Sequence, residues 1–325
     1  MSAPVSRTAL DEPIAAFLAH QRALGRGYVA VEYVLRRLRQ FLIRVGANDL
    51  DQSCFDRWCR TQRRLAANTR RGRQLIVRKF CLFRRRSEPT CFVPDPTYFA
   101  RPQPYRPPIL VAPRQIGHML SRATSLQPTT RSPLRPAVIR LAIVLLYTAG
   151  LRRGELLRLT LADVDARNGV LSIRESKFHK SRLVPVSLGA RRELRRYLRQ
   201  RLASPCDARP TAPFLCNRNR GWRAYTGTGL SQGIHQLLDQ VGACDADGRR
   251  SRIHDLRHSF AIQALLRWYR SGADVQAHLP LLALYMGHVS IVSTAYYLRF
   301  VPEVADLASQ RFEQHFGDLL LGGAP

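Results

Sequence analysis

The chain has 325 residues, with 52 lysines and arginines against 23 aspartates and glutamates, and a formal net charge of +29. Because 45% of the residues are hydrophobic, this charge belongs to a folded protein and not to a basic tail, and the length suggests two domains. So large a positive surplus indicates a polyanionic partner, of which nucleic acid is the first candidate. Composition alone leaves a ribosomal or RNA-coating protein open.

The N-terminal sequence lacks the pattern of a signal peptide, and the longest apolar run, residues 141–150, is too short to span a bilayer. We therefore expect a cytoplasmic protein with no membrane partner. The seven cysteines are scattered without a CxxC pair, which favours reduced thiols over disulfides or zinc ligands.

Residues 10–87 carry apolar side chains at spacings of three and four, which predicts four helices with basic outer faces. The following stretch, 87–113, contains eight prolines, which exclude a continuous helix and predict an extended linker. Helical patterns return at 113–124, at 134–149 and over 151–165, where the pattern ends in a turn.

Between residues 164 and 187 the period shortens to that of strands. An Asn168-Gly169 turn and two short alternating runs predict a small antiparallel sheet with Lys177 at the tip of a hairpin. Helices resume at 188, with a loop at 204–227. The predicted fold class is mainly α with a small antiparallel β-sheet.

Several chemistries are excluded by missing motifs. The sequence contains no GxxxxGK[ST] phosphate loop and no HExxH zinc motif, and its acidic pairs occupy turn-like contexts. A two-metal nuclease would need several converging carboxylates. Metal-free chemistry is favoured, and no cofactor is expected.

Two pairs of side chains have helical spacing. His254 and Arg257 share one helix face, as do Arg152 and Glu155, so the carboxylate could orient the guanidinium. Each pair alone is weak evidence, because surface ion pairs at this spacing are common. Their order is more specific: AGLRRGEL, a hairpin lysine, HDLRHSFA, MGHVS, and a tyrosine nine residues beyond that last histidine.

This order resembles the catalytic domain of the tyrosine recombinases, the phage-integrase family, over about residues 107–325. The closing TAYYLRFVPE is most similar to recombinases encoded by transposons and integrative elements. The resemblance implies a two-domain architecture: a helical core-binding (SAM-like) DNA-binding domain at 1–92, a Pro-rich linker at 93–112, and a mixed α/β catalytic domain at 113–325. It also implies that the C-terminal helix docks on a neighbouring protomer, although packing against its own domain is an equal alternative for residues 302–321.

The resemblance further implies a site-specific recombinase that cuts and rejoins DNA through a 3′-phosphotyrosyl intermediate, without metal or ATP, to move a mobile element. Its partners would be double-stranded DNA at specific recombination sites, a homo-tetramer on that DNA, and accessory recombinases or DNA-bending proteins at the nucleoid. Glu155 would support the site, and Lys180 and Arg182 would contact DNA. The catalytic residues would be Arg152, Lys177, His254, Arg257, His288 and the nucleophile Tyr297.

Physical chemistry supports these roles. Two fixed guanidiniums can stabilise the negative charge that develops on the phosphate. A lysine among arginines can have its pKa lowered far enough to protonate the leaving oxygen. Lys180 is the rival of Lys177 for that proton. At 100° per residue, Tyr296 falls on the apolar face of 291–300, and Tyr297 falls on the polar face with Ser293 and Thr294.

Other activities stay open at this point. A type IB topoisomerase-like enzyme or a hairpin-forming resolvase would use a similar site. A non-catalytic DNA-binding protein would explain the charge but not the ordered motifs.

Overall fold

The chain divides into two compact units, residues 1–106 and residues 107–325. The computed structural model describes residues 8–25, 28–104, 106–174, 181–218, 221–288, 290, 294 and 306–313. The structure is 58% helical with small antiparallel sheets, so the predicted fold class is confirmed. Within the described ranges, no helix combines the length and apolar character that crossing a membrane requires.

Within its described residues, the first unit is built from four α-helices, as the apolar spacing predicts. In the second of them, α2, buried Leu35, Leu38 and Leu42 lie on one face, while Arg36 and Arg37 are exposed on the other. Gly46 ends α2 in a left-handed conformation with φ of 71°. The helices of this unit are α1 Asp11–Ala23, α2 Val29–Val45, α3 Gln52–Arg60 and α4 Ala67–Arg84.

The Pro-rich stretch is packed at both ends. Phe99 is buried in the core of the first unit, and the N–H of Ala100 donates to Gln74 Oε1 at 2.9 Å. Val111 is fully buried in the core of the second unit, where its N–H donates to Ser259 Oγ at 2.9 Å. The predicted linker of 93–112 therefore contributes residues to both cores, and the units divide after residue 106.

The second unit is organised around one buried helix, α6. Its residues from Val138 to Leu146 are buried almost all round, which is the pattern of a helix inside a core. Helices α5, α8, α9 and α10 pack against it. Within residues 107–288 the described α-helices of this unit are α5 Pro113–Thr124, α6 Arg135–Thr148, α7 Arg153–Arg158, α8 Leu188–Leu202, α9 Gly227–Gln240, α10 Ile253–Arg270 and α11 Val275–Met286, and residues 306–313 are helical as well.

A three-stranded antiparallel sheet lies beside these helices, in the order β1 Val164–Asp165, β2 Val170–Ile173 and β3 Arg182–Pro185. The register places Ile173 opposite Arg182, so β2 and β3 form the predicted hairpin. Its tip, which includes Lys177, lies outside the described residues.

Two expectations at the level of single elements are wrong. The helix predicted over 151–165 stops at Arg158, because the backbone of Leu159 turns outward to accept a hydrogen bond from the N–H of Phe214 at 2.8 Å. The predicted loop at 204–227 contains a second small sheet, in which β4 Cys216–Asn217 pairs with β5 Arg223–Ala224.

Candidate active site

Arg152 and Glu155 meet at the start of α7, as their spacing predicts. The buried Glu155 carboxylate accepts the backbone N–H of Arg152 at 2.9 Å and Nη1 of the same residue at 2.7 Å. Glu155 thus caps the helix with one carboxylate oxygen and orients the guanidinium with the other. About a quarter of the Arg152 side chain, 24%, stays exposed, so it is accessible to a ligand.

A second arginine holds Glu155 from the sheet side. Arg182, the first residue of β3, donates from Nη1 and Nη2 to the two carboxylate oxygens, each at 3.0 Å, and from Nε to the carbonyl of Tyr285 at 2.8 Å. Its side chain is only 8% exposed. Burial raises the pKa of Glu155, but hydrogen bonds from Arg182 and from the Arg152 backbone outweigh it and lower the pKa to about 2.

This position gives Arg182 a function beyond the DNA contact that the sequence predicts. Three of its N–H groups are directed into the protein, where they fix the carboxylate that orients Arg152. A direct contact of Arg182 with DNA stays a prediction.

Arg257 lies on the second turn of α10 and is almost fully buried, with 1% of its surface exposed. Nη2 donates to the carbonyl of Met286 at 2.7 Å, and Nη1 donates to the carbonyl of Gly150. Asp255, which is also buried, accepts the backbone N–H of Arg252 at 2.8 Å and so caps the start of the helix. The helix that carries Arg257 is therefore anchored at its first turn.

The end of α11 joins the two site arginines. The consecutive carbonyls of Met286 and Gly287 accept Nη2 of Arg257 and Nη2 of Arg152, both at 2.7 Å. These oxygens belong to the last turn of a helix, where the backbone leaves carbonyls without intrahelical partners. The two guanidiniums, which lie 105 residues apart in sequence, are thereby held side by side at one helix end.

Glycine is required at two positions of this arrangement. Gly150 has φ of 58°, and a Cβ there would lie 2.5 Å from the Phe260 ring. Gly287 has φ of 68°, and a Cβ there would lie 2.7 Å from Nη1 of Arg182. Both motifs, AGLRRGEL and MGHVS, therefore contain a glycine because the backbone that binds an arginine passes close to another side chain.

The histidines of the site are kept neutral. Burial and the nearby charges of Arg257 and Arg152 lower the pKa of His288 to about 4. The His254 side chain reaches the surface, yet the protein atoms around its ring restrict hydration and, with the charge of Arg257, lower its pKa as well. The ring of His258 packs edge-on against His254 with centroids 4.5 Å apart, and burial together with His254 lowers the pKa of His258 to about 3.

His288 has a further partner that the sequence patterns did not single out. Its Nδ1 lies 2.7 Å from Oγ1 of Thr294, which has no exposed surface. Helical spacing assigns Thr294 to a solvent-exposed polar face, and for this residue the expectation is wrong. The hydrogen bond to His288 offsets the cost of burying this hydroxyl.

Three predicted site residues cannot be placed. Lys177, Lys180 and Tyr297 all lie outside the described residues. Of the other predicted residues, Arg152, Glu155, Arg182, Arg257 and His288 form one connected set, and the charges of Arg257 and Arg152 act on His254. Among the described residues, no group of three or more His, Cys, Asp or Glu side chains is placed to hold a metal ion.

Comparison with known proteins identifies the family of this chain. Residues 121–303 match the sequence profile of the phage integrase family. A Sinorhizobium fredii (strain NGR234) protein named as an integrase/recombinase, y4rE, is 35% identical over 246 residues, which cover 76% of this chain and 77% of that protein. The chain belongs to the phage integrase family. A second protein of the same strain, named in the same way as y4rB, is 36% identical over 248 residues, 74% of this chain and 77% of its own length.

Solved structures agree with the fold of this family. The Tn1549 transposon integrase in complex with a circular intermediate DNA aligns with a TM-score of 0.61 at 19% identity, over 90% of this chain and 95% of that one. The XerH site-specific recombinase bound to its difH substrate aligns with a TM-score of 0.54 at 19% identity, over 80% of this chain and 70% of that one. The two-domain architecture of the tyrosine recombinases is therefore the architecture of this integrase-family chain.

Sequence reasoning missed part of this integrase-family site. The backbone carbonyls of Gly150, Met286 and Gly287 carry no signal of their own, although the two glycines mark where the chain approaches the arginines. Thr294 could have been found by its position between His288 and Tyr297 and not by its residue type. His258 could have been found as the histidine one turn after His254 on the same helix.

Proposed function

We propose that this chain is a site-specific DNA recombinase of a mobile element, which cuts and rejoins DNA through a covalent bond to Tyr297. The observation that carries the proposal is the pair of guanidiniums, Arg152 and Arg257, held side by side by adjacent carbonyls at the end of α11. A phosphodiester offers oxygens that such a pair can bind, and the two cations stabilise the extra negative charge of the transition state.

The reaction needs one bond to form as another breaks. The Tyr297 oxygen attacks the phosphorus and forms a 3′-phosphotyrosyl bond, while the bond from phosphorus to the 5′ oxygen breaks. The phenol proton passes to His254 or to solvent, and Lys177 donates a proton to the leaving oxygen. Rejoining reverses these steps with a 5′ hydroxyl from the partner duplex.

Neither metal nor ATP is required by this scheme. The guanidiniums supply the charge that a metal would otherwise supply, and the phosphotyrosyl bond conserves the energy of the broken phosphodiester. Lys180 would contact a neighbouring phosphate, and His288 would hydrogen-bond to the scissile one. The enzyme would act on chromosomal DNA in the cytoplasm, at the nucleoid, with any accessory recombinase or DNA-bending protein assembling at the same DNA site.

Tyr297→Phe tests the nucleophile against a matched control, Tyr296→Phe. The probes are nicked duplexes that tile the DNA flanking the chain's own gene, because that DNA should contain the recombined site. We expect the wild-type chain and Tyr296→Phe to form a covalent adduct that survives denaturing electrophoresis, and Tyr297→Phe to bind the same DNA without forming one. An adduct with Tyr297→Phe would show that another residue is the nucleophile.

The same proteins distinguish the alternative activities. A supercoiled plasmid without the flanking DNA would be relaxed by a topoisomerase-like enzyme, whereas a recombinase should act only when the flanking DNA is present. A non-catalytic DNA-binding protein would shift the duplexes in a native gel and form no adduct with any of them.

A homo-tetramer on DNA would be built by the C-terminal segment. At its described start, Leu307 packs on the core of its own unit, and Arg311 donates to the carbonyl of Ala273 at 3.2 Å. A groove of about 630 Å³ between α6, α10 and α11, lined by aromatic side chains such as Phe260 and Trp268, would receive residues 314–321 of a second copy. Light scattering of the DNA complex should show loss of the tetramer when the chain ends after residue 313, and an unchanged mass would refute this docking.

A further inference from the structure

Thr294 combines features that are unusual for a polar side chain. It has no exposed surface, it lies six residues after His288 and three before Tyr297, and its hydroxyl is 2.7 Å from Nδ1 of His288. Resting on the function proposed above, we infer that Thr294 is a positioning residue whose hydroxyl donates to Nδ1 of His288 and so holds the tautomer that carries its proton on Nε2. In that tautomer, Nε2–H is the group that donates to the scissile phosphate.

The direction of this hydrogen bond follows from the charge around His288. The imidazole is neutral at ordinary pH, because burial and the charges of Arg257 and Arg152 lower its pKa to about 4. A neutral imidazole has one nitrogen that donates and one that accepts. A phosphate oxygen can only accept, so a histidine that binds it must carry the proton on the nitrogen that faces it.

The threonine hydroxyl can donate the hydrogen bond that Nδ1 of His288 then accepts. It rotates freely enough to act as a donor, and at 2.7 Å the contact has the length of a hydrogen bond. If the proton lay on Nδ1 instead, Thr294 would accept it, and Nε2 would present a lone pair to the phosphate. Two lone pairs would then face each other, which is repulsive in a buried site.

Thr294 also connects two parts of the site along the sequence. His288 follows the helix end that binds both arginines, whereas Tyr297 comes three residues after Thr294. A hydrogen bond between His288 and Thr294 therefore ties Thr294, three residues before Tyr297 in the sequence, to the residue that follows the end of α11. Loss of the hydroxyl should affect the rate of cleavage through orientation and leave DNA affinity unchanged.

The first test reads the tautomer directly in the free protein. Nitrogen NMR of the full chain labelled with ¹⁵N-histidine, with His288 assigned by its absence in His288→Gln, should show a protonated Nε2 and an unprotonated, hydrogen-bonded Nδ1. Thr294→Ser should keep this signature, and Thr294→Val, which has the same shape without the hydroxyl, should lose the hydrogen-bond shift of Nδ1. A wild-type spectrum with the proton on Nδ1 would overturn the inference without the need for any variant.

The second test measures the consequence for cleavage. In single-turnover reactions on the nicked duplex that the wild-type chain cuts, Thr294→Val should be slower by about 10- to 100-fold at unchanged DNA affinity, and Thr294→Ser should be within a few-fold of wild type. Equal rates for the two variants would refute the positioning role. If the wild-type chain forms no adduct with any duplex, the proposed function fails, and the NMR result still decides whether Thr294 donates to Nδ1 of His288.

Discussion

Both units of the molecule contain buried arginines, and two of them, Arg84 and Arg257, differ in the chemistry of their partners. Arg84 in the first unit has 6% of its side chain exposed and forms ion pairs with Asp49 and with Glu88, each at 2.5 Å. Arg257 in the second unit is held by the carbonyls of Gly150 and Met286. Carboxylates cancel the charge of Arg84 where it lies, whereas carbonyls orient Arg257 without supplying an anion.

Arg84 and Arg257 differ in how far their charge is neutralised, but the partner alone does not identify a site arginine. Arg201 is as buried as Arg257 and is bound by backbone carbonyls, and Arg152 pairs with the Glu155 carboxylate within the site. Residue type cannot make this distinction in a chain with 52 basic residues. Partner and position together make it: hydrogen bonds with the carboxylates of Asp49 and Glu88 raise the pKa of Arg84, whereas Arg257 shares the end of α11 with Arg152. A neutral acceptor leaves more of the positive potential for a phosphate.

Replacing each arginine by lysine gives the largest expected effect. Arg257→Lys should lower the rate of covalent adduct formation by about 100- to 1,000-fold, because a single ammonium cannot bind two carbonyls and a phosphate oxygen in one plane. Arg84→Lys should leave the rate per folded molecule unchanged and lower the free energy of unfolding by about 1–2 kcal/mol, because Asp49 and Glu88 are partly exposed and can be hydrated.

Single-turnover cleavage and urea unfolding of the full chains measure the two quantities separately. If Arg84→Lys slowed cleavage as strongly as Arg257→Lys, the division between a structural and a functional arginine would be wrong.

The glycines that end α2 and α11 also differ in what surrounds them. Gly46 and Gly287 have nearly the same φ, 71° and 68°, but a Cβ on Gly46 would meet no atom within 4 Å, whereas a Cβ on Gly287 would meet the Arg182 guanidinium at 2.7 Å. Gly46→Ala should cost about 1 kcal/mol of unfolding free energy from backbone strain alone.

Gly287→Ala should add an effect on catalysis to that strain. Arg182 cannot move aside without loosening Glu155, which orients Arg152, so we expect cleavage to slow by about 10-fold. Gly46→Ala is the control for the backbone, and its cleavage rate should match wild type. Equal rates for the two variants would mean that the position of Arg182 has no influence on the reaction.

The fold was predictable where a local period or cap decided it. The helices of both units follow apolar spacing, and the helix-ending glycine at 46 is visible as a residue type. Prediction from local sequence patterns failed where a residue distant in sequence determines the backbone conformation. The chain leaves the helix at Leu159 and Thr160, where Phe214, 55 residues further along, donates to the Leu159 carbonyl, and no local pattern reports that contact.

The site divides in the same way. Spacing of three predicted the pair of Arg152 with Glu155, because both partners lie on one turn of chain. The Arg182 contact with Glu155 and the carbonyls that hold Arg257 depend on tertiary approach across 27 to 107 residues. Helical spacing places Thr294 on the polar face, because spacing predicts only the direction of a side chain. It does not predict the partner that buries Thr294.

The smallest expected effect concerns pH, and it should be confined to the second unit. The ordinary pKa of histidine is about 6.5, and in the folded state it falls to about 4 for His288 and about 3 for His258. The unfolded chain therefore binds more protons in this window, so the stability is complete above about pH 6.5 and is lost as the pH falls toward 4. Each histidine should contribute a loss of about 1 kcal/mol between about pH 7 and about pH 5.5.

Hydrogen exchange can locate this loss, because it reads the two units separately. After correction for the intrinsic exchange rate, protection of α10 and α11 should fall over this pH range, and protection of α2 should not. The lowered pKa values of Asp11 and Asp51 in the first unit affect stability only below about pH 4. His288→Asn should flatten the change in α11, whereas His118→Asn, at an exposed position on α5, should leave it intact; a parallel loss in α2 would place the titrating groups outside the site.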